Sequence, residues 1–312
     1  MGSGEWFQPA PRSIPHSAFP ATTRVAVPNF DSLAVEGVAG AVLVSALLFG
    51  RRLLPYLRLP PRRLNHPVPI AWARIVNARV PLAARLSPGD HARLLQLTVE
   101  FIRTKAFEGC GGLTVTDEMK VVIAAQACLL LLHLPGDVYP QVITILVYPH
   151  PVVPEHLLSI RQSFSPVPVL QPIIGETWQR GGTIILAWDE VLHGAVDIAD
   201  PQNVVLHEFA HALDDEDGSG NGTPLVESPA ALRSWARVLR RDFDALQADA
   251  KAGRPSVLSA YGATNPAEFF AVATEAFFKR PRDLLRSNGD LYAELKRFYG
   301  QDPAGGGGGP ES

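Results

Sequence analysis

The feature that most restricts how this chain can fold is His207-Glu208-Phe209-Ala210-His211, two histidines and a glutamate inside an apolar run. Side chains four residues apart share one face of an α-helix, so this spacing turns both imidazoles toward one point. A helix over Gln202–Leu213 is predicted. Asn203 is a suitable N-cap, and Val204, Val205, Leu206, Phe209, Ala210 and Leu213 supply the apolar flanks. Two imidazoles at this spacing can hold one Zn²⁺, with Glu208 as general base toward a water on the ion. The competing reading is a core helix with two satisfied histidines. It would bury Glu208 with no evident reason for its charge.

A catalytic zinc needs a third protein ligand and an open position. Asp217, ten residues after His207, is one candidate, but the turn that pattern requires calls for glycine at position 214, where the chain has Asp214. A downstream Glu-x-x-x-Asp helix is not found. Glu268, in Tyr261-Gly-Ala-Thr-Asn265-Pro266-Ala267-Glu268, is the other strong candidate. Asn265 to Glu268 also reads as a capping box, in which the carboxylate merely bonds back to the cap. On the residues alone the two readings of Glu268 stand level. Glu275, two turns further along, is a weaker ligand candidate or an acid behind the ligands. Asp214 could orient a ligand histidine, although the run Asp214–Asp217 reads most simply as a solvated helix end. That run also fails the spacing of a calcium loop.

Composition narrows the partners. With 28 Lys and Arg against 31 Asp and Glu, the net charge is −3, which argues against direct nucleic-acid binding. Two cysteines, Cys110 and Cys128, are too few for a disulfide framework or a cysteine-built zinc ribbon. A metal site here is therefore built from His and Glu. With 46% hydrophobic residues in 312, the chain can bury a sizeable core.

Further elements follow from pattern. Ser87 and Pro88 open a helix running to about Thr104, and Glu108–Gly112 reads as a turn. Lys120 to Pro135 is apolar nearly all round, which predicts a fully buried helix with Cys128 as an inert core thiol. Ile143–Tyr148, Val167–Ile174 and Thr183–Trp188 read as strands, and the last could offer its edge to an extended substrate. Helices are predicted at Pro229–Gln247 and Pro266–Phe278, while His193 is placed in a loop and read as structural. Helices, a small mixed sheet preceding the metal helix, then helices again make an α+β fold.

The N-terminus departs from this pattern. Residues 1–32 read as a disordered extension. Residues 33–54 form an apolar segment around the uncharged run Gly37–Gly50, either an interfacial helix or a membrane anchor. If the segment spans, Arg51, Arg52, Arg58, Arg62 and Arg63 set the remainder on the cytoplasmic side. Residues 55–69 read as a linker.

Several motifs in order resemble the Mlc titration factor A family of zinc metallopeptidases. They are Phe107–Leu113, Thr116–Met119, Ala124–Cys128, Ile145–Tyr148, Ala187–Asp189, Asn203–Asp214 and Tyr261–Phe278. The resemblance implies a zincin-like peptidase over residues 70–303; the low-complexity run at 304–312 reads as a disordered tail. The resemblance also implies one Zn²⁺ per chain, held by His207, His211 and Glu268, with Glu208 and Tyr261 catalytic. The Tyr261-to-Glu268 spacing is similar to that in the catalytic domain of anthrax lethal factor. Peptides or proteins are the implied substrates, aminopeptidase action the exopeptidase form considered, and the cytoplasm the expected compartment. Because the family is named for sequestering a transcriptional repressor, a transcriptional regulator is a second implied partner.

Overall fold

The computed structural model describes residues 64–151, 182–216, 218–226 and 228–305. Helices dominate, around one small sheet, so the α+β expectation holds. The first helix, α1 (Ile70–Arg79), leads through a 3₁₀ turn at Pro81–Arg85 to α2 (Pro88–Thr104). Ser87 begins α2 as predicted, its hydroxyl accepting the Asp90 N–H at 3.1 Å. The preceding stretch is docked onto α2. The Gln96 amide accepts the His66 N–H and donates to its carbonyl, both at 2.9 Å.

Strand β1 (Ala106–Gly109) follows where a turn was expected; the turn itself comes just after, with Gly111 and Gly112 at positive φ. Four residues that include a glycine show no alternation. They become a strand through pairing with β2 (Thr144–Tyr148), in which Ala106 faces Thr144. β3 (Thr183–Ala187) lies on the far side of β2 with Thr183 opposite Thr144, giving the order β1-β2-β3. Every described pairing is parallel, whereas a mixed sheet was expected. The chain gives the reason. Tens of residues separate successive strands, which is the length a parallel crossover needs and more than a hairpin uses. The predicted strand Val167–Ile174 lies outside the described residues.

Between β1 and β2 runs α3 (Asp117–Leu129), the buried helix anticipated for Lys120–Pro135. It starts earlier because the Thr116 hydroxyl accepts the Met119 N–H, capping a polar first turn that the apolar run does not reveal. From Val121 to Leu129 every side chain is buried, and burial pushes the Cys128 thiol far above its usual pKa, as an inert core thiol requires. At Trp188 the chain turns directly from β3 into α4 (Trp188–Val196). His193 is thus on a helix rather than in a loop, its Nε2 2.8 Å from an Asp200 oxygen.

Helix α5 (Val204–Asp214) carries the two histidines, and α6 (Pro229–Ala252) outruns its predicted end until Gly253 closes it in the left-handed conformation. A 3₁₀ turn at Ala260–Ala263 precedes α7 (Pro266–Lys279), which packs along α5. Two further helices, α8 (Pro281–Ser287) and α9 (Gly289–Tyr299), complete the described fold. No helix among the described residues is long and apolar enough to cross a membrane, and the apolar segment 33–54 lies outside them.

The return from α5 is held tightly at one glycine. Gly222 has φ +80°; its N–H donates to Asp214 Oδ2 at 2.7 Å, and its carbonyl accepts the Trp235 indole N–H at 3.1 Å. A Cβ there would lie 2.3 Å from the Pro266 carbonyl oxygen at the start of α7. Gly222→Ala is therefore expected to destabilise the protein by about 2–3 kcal/mol, combining a strained φ with a clash against backbone. Urea unfolding of the two proteins measures this, and a change below about 0.5 kcal/mol would mean the loop can move aside.

Candidate metal centre

Helix α5 forms because its apolar residues fall on one side and its first turn is capped. Asn203 Oδ1 accepts the Leu206 N–H at 2.9 Å, and Val205, Leu206, Phe209, Ala210, Ala212 and Leu213 are buried. This fixes His207 and His211 on the remaining face, where both are half-buried. Their rings lie 4.8 Å apart at 79°, with the two Nε2 atoms 3.2 Å from each other.

Glu268 enters from α7, and its N–H and its carboxylate are engaged separately. Asn265 does cap the helix, its Oδ1 accepting the Glu268 N–H at 2.9 Å. The Glu268 carboxylate does not complete the box. Its Oε2 lies 3.0 Å from His207 Nε2 and 3.4 Å from His211 Nε2. Backbone and side chain thus face different partners, the N–H the cap and the carboxylate the two imidazoles. Burial alone would raise the Glu268 pKa, but its contacts with the two imidazoles hold it at about 2.

His207, His211 and Glu268 are the described residues whose ligand atoms cluster as a metal would require. Separations of 3.0–3.4 Å match the edge of a tetrahedron around a divalent ion, roughly 3.3 Å for ligand distances near 2 Å. Three electron-rich atoms facing one point repel unless a cation lies among them. Without a metal a proton meets that need. Burial alone would lower the His207 pKa, yet Glu268 and Glu275 raise it well above the usual histidine range. The donor set therefore fits a cation of the Zn²⁺ type.

Two more predicted residues border this cluster. Glu208 is 2% exposed, and no described side chain hydrogen-bonds its carboxylate. Burial raises its pKa, an effect the imidazoles of His207 and His211 oppose and the charges of Glu268 and Glu275 reinforce. Tyr261 projects from the 3₁₀ turn before α7, its ring 6.0 Å from that of His207. Asp217 lies outside the described residues. Asp214 Oδ2 accepts the Gly222 N–H at 2.7 Å, which ties it to the return loop.

Three more residues adjoin the cluster, of which Glu190 and Gln126 carry no signal in the local pattern. Glu275, read from the sequence as a weaker ligand candidate or an acid behind the ligands, has its Oε1 2.7 Å from His207 Nδ1. Glu190, in the first turn of α4, has its pKa raised by burial and by the charges of Asp189 and Glu208, so this turn flanks Glu208. Gln126, fully buried on α3, reaches Asn203, and nothing in the local pattern announces a contact 77 residues away.

Two histidines and a downstream glutamate, with a buried carboxylate beside them, define the class of metal-dependent peptidases that hold their ion on a helix. The chain belongs to the glucose-regulated metallo-peptidase M90 family, whose model matches residues 58–300. It is 38% identical over 244 residues to an uncharacterized protein of Synechocystis, covering 77% of this chain and 86% of that one. It is also similar to the Mlc titration factor A proteins of Serratia proteamaculans and Pectobacterium atrosepticum. The first is 33% identical over 230 residues, covering 72% of this chain and 85% of the relative; the second is 32% identical over 245, covering 74% and 86%. The resemblance read from the motifs is thereby borne out.

Proposed function

We propose that this protein is a zinc-dependent peptidase with a zincin-like centre in which His207, His211 and Glu268 hold one Zn²⁺ per chain. The observation that supports this most is the convergence of those three side chains beside the uncommitted Glu208 carboxylate. Bound zinc supplies a Lewis acid that brings the acidity of water near neutrality. Glu208 takes the proton from the attacking water and passes it to the leaving amine, a role suited to a carboxylate whose burial raises its pKa. The Tyr261 hydroxyl donates a hydrogen bond to the oxyanion that develops at the substrate carbonyl. β3 is an edge of the sheet among the described residues and packs against α5, so an extended peptide can pair along it.

The test is direct. Purified protein is expected to carry close to one zinc per chain, to lose peptide hydrolysis on treatment with phenanthroline, and to regain it when Zn²⁺ is returned. Undiminished cleavage by the metal-free protein would overturn the reading. Parallel peptides with free and acetylated N-termini distinguish aminopeptidase from endopeptidase action.

A second reading has its own support, since several relatives bear the name Mlc titration factor A. On that reading the chain binds a transcriptional regulator and catalysis is secondary. It expects Glu208→Gln to keep partner binding and biological effect.

A further inference from the structure

One stripe of α7 carries more than the proposed chemistry uses. Glu268, Glu275 and Lys279 are spaced by seven and four residues, which aligns them on a single helix face. Glu268 meets the imidazoles. Glu275 has both oxygens committed: Oε1 lies 2.7 Å from His207 Nδ1, and Oε2 accepts the Asn203 N–H at 2.6 Å. Lys279 donates to the carbonyls of Gly194 and Asp197 at 2.7 and 2.6 Å, closing the end of α4.

Asn203 is the N-cap of the helix that carries both histidines. Its side chain accepts from Leu206 N–H and donates to the Gly194 carbonyl at 2.9 Å and to Gln126 Oε1 at 2.7 Å. Gln126 is oriented in turn, because its amide nitrogen donates to the Val122 carbonyl at 3.2 Å. A buried hydrogen-bonded chain therefore runs from Gln126 through Asn203 and Glu275 to the imidazole of His207.

We infer that Glu275 is the positioning residue for His207, fixing its tautomer and ring plane for a metal at Nε2 and anchoring that ring to the start of its own helix. The inference rests on the zinc reading above. An imidazole that binds metal through Nε2 carries its proton on Nδ1, and that proton needs an acceptor. Glu275 Oε1 is in place to accept it. The second oxygen, held by the Asn203 N–H, stops the carboxylate from rotating away. Two acceptors are required at once, which explains a carboxylate here: glutamine offers one acceptor oxygen and would turn an N–H₂ group toward one of the two donors.

The experiment is a competition titration of Zn²⁺ against a chromophoric chelator, using metal-free wild type, Glu275→Gln and Lys279→Met. The visible absorption of the Co²⁺-loaded proteins reports ligand geometry alongside it. Glu275→Gln is expected to weaken zinc binding by about 10–100-fold and to alter the Co²⁺ spectrum. Lys279→Met, which loosens the same helix face without touching a ligand, is expected to leave both unchanged while lowering the thermal midpoint. Wild-type affinity and spectrum in Glu275→Gln would overturn the inference. So would an equal loss in Lys279→Met, which would reduce the effect to general loosening. If Glu275→Gln does not fold, Glu275→Asp is read by the same criterion, since it keeps the charge but shortens the reach. A wild type that binds neither ion would instead overturn the zinc reading itself.

Discussion

Glu208→Gln is expected to lower kcat for peptide hydrolysis by about 10²–10⁴-fold while leaving the zinc content at the wild-type level. Glutamine matches the shape of glutamate but cannot accept a proton at neutral pH. The carboxylate it replaces receives no hydrogen bond from a described side chain, so the substitution breaks no hydrogen bond. Glu208 is also separate from the three side chains whose ligand atoms cluster, so the ion should stay. Removing a charge that is 2% exposed relieves a desolvation cost, and the variant should unfold at the same temperature as wild type or higher. Steady-state kinetics with metal analysis on one preparation measures all three quantities. Full hydrolysis by the variant would remove Glu208 from the role of base.

Phe209→Ala is expected to cost about 3–5 kcal/mol of stability. Phe209 sits on the side of α5 away from the imidazoles and is fully buried. Its ring centre lies 4.7 Å from that of Tyr139 and 5.5 Å from that of Phe101, in tilted and edge-on arrangements. Tyr139 cannot follow into the vacated space without breaking the hydrogen bond from its hydroxyl to the Ala127 carbonyl at 2.8 Å. The cavity therefore stays largely open. Urea unfolding of the metal-free proteins is the appropriate measurement, because bound zinc would add its own stabilisation to the native state. A loss under 1 kcal/mol would show that the ring cluster does not hold α5 in place.

What could be read beforehand was the part encoded within a few residues of itself. The α5 helix was legible because its cap, its apolar face and its two histidines all lie within Asn203–Asp214. Glu268 was half legible. A capping box and a metal ligand use the same residue types, and only the fold decides whether the carboxylate turns back to Asn265 or across to α5. β1 stayed hidden because Ala106–Gly109 has no pattern of its own and gains its conformation from a partner strand. α4 was masked by the uninterrupted passage from Ala187 to Trp188, which extends the apolar run of β3 into a helix. The bonds of Gln126 and Glu275 to Asn203 span 77 and 72 residues, and local periodicity carries no information on such pairs.

The single stripe on α7 also makes the centre sensitive to counting. Each added residue turns an α-helix by about 100° and advances it by about 1.5 Å. One residue inserted between Phe270 and Thr274 would keep Glu268 in place and swing the glutamate and lysine beyond it off the stripe. The imidazole of His207 would then lose its anchor although no residue of the centre had been substituted. The exposed turn around Gly218–Gly220 carries no such constraint. Length variation is therefore expected to accumulate there, while the seven-residue interval from Glu268 to Glu275 behaves as a fixed measure.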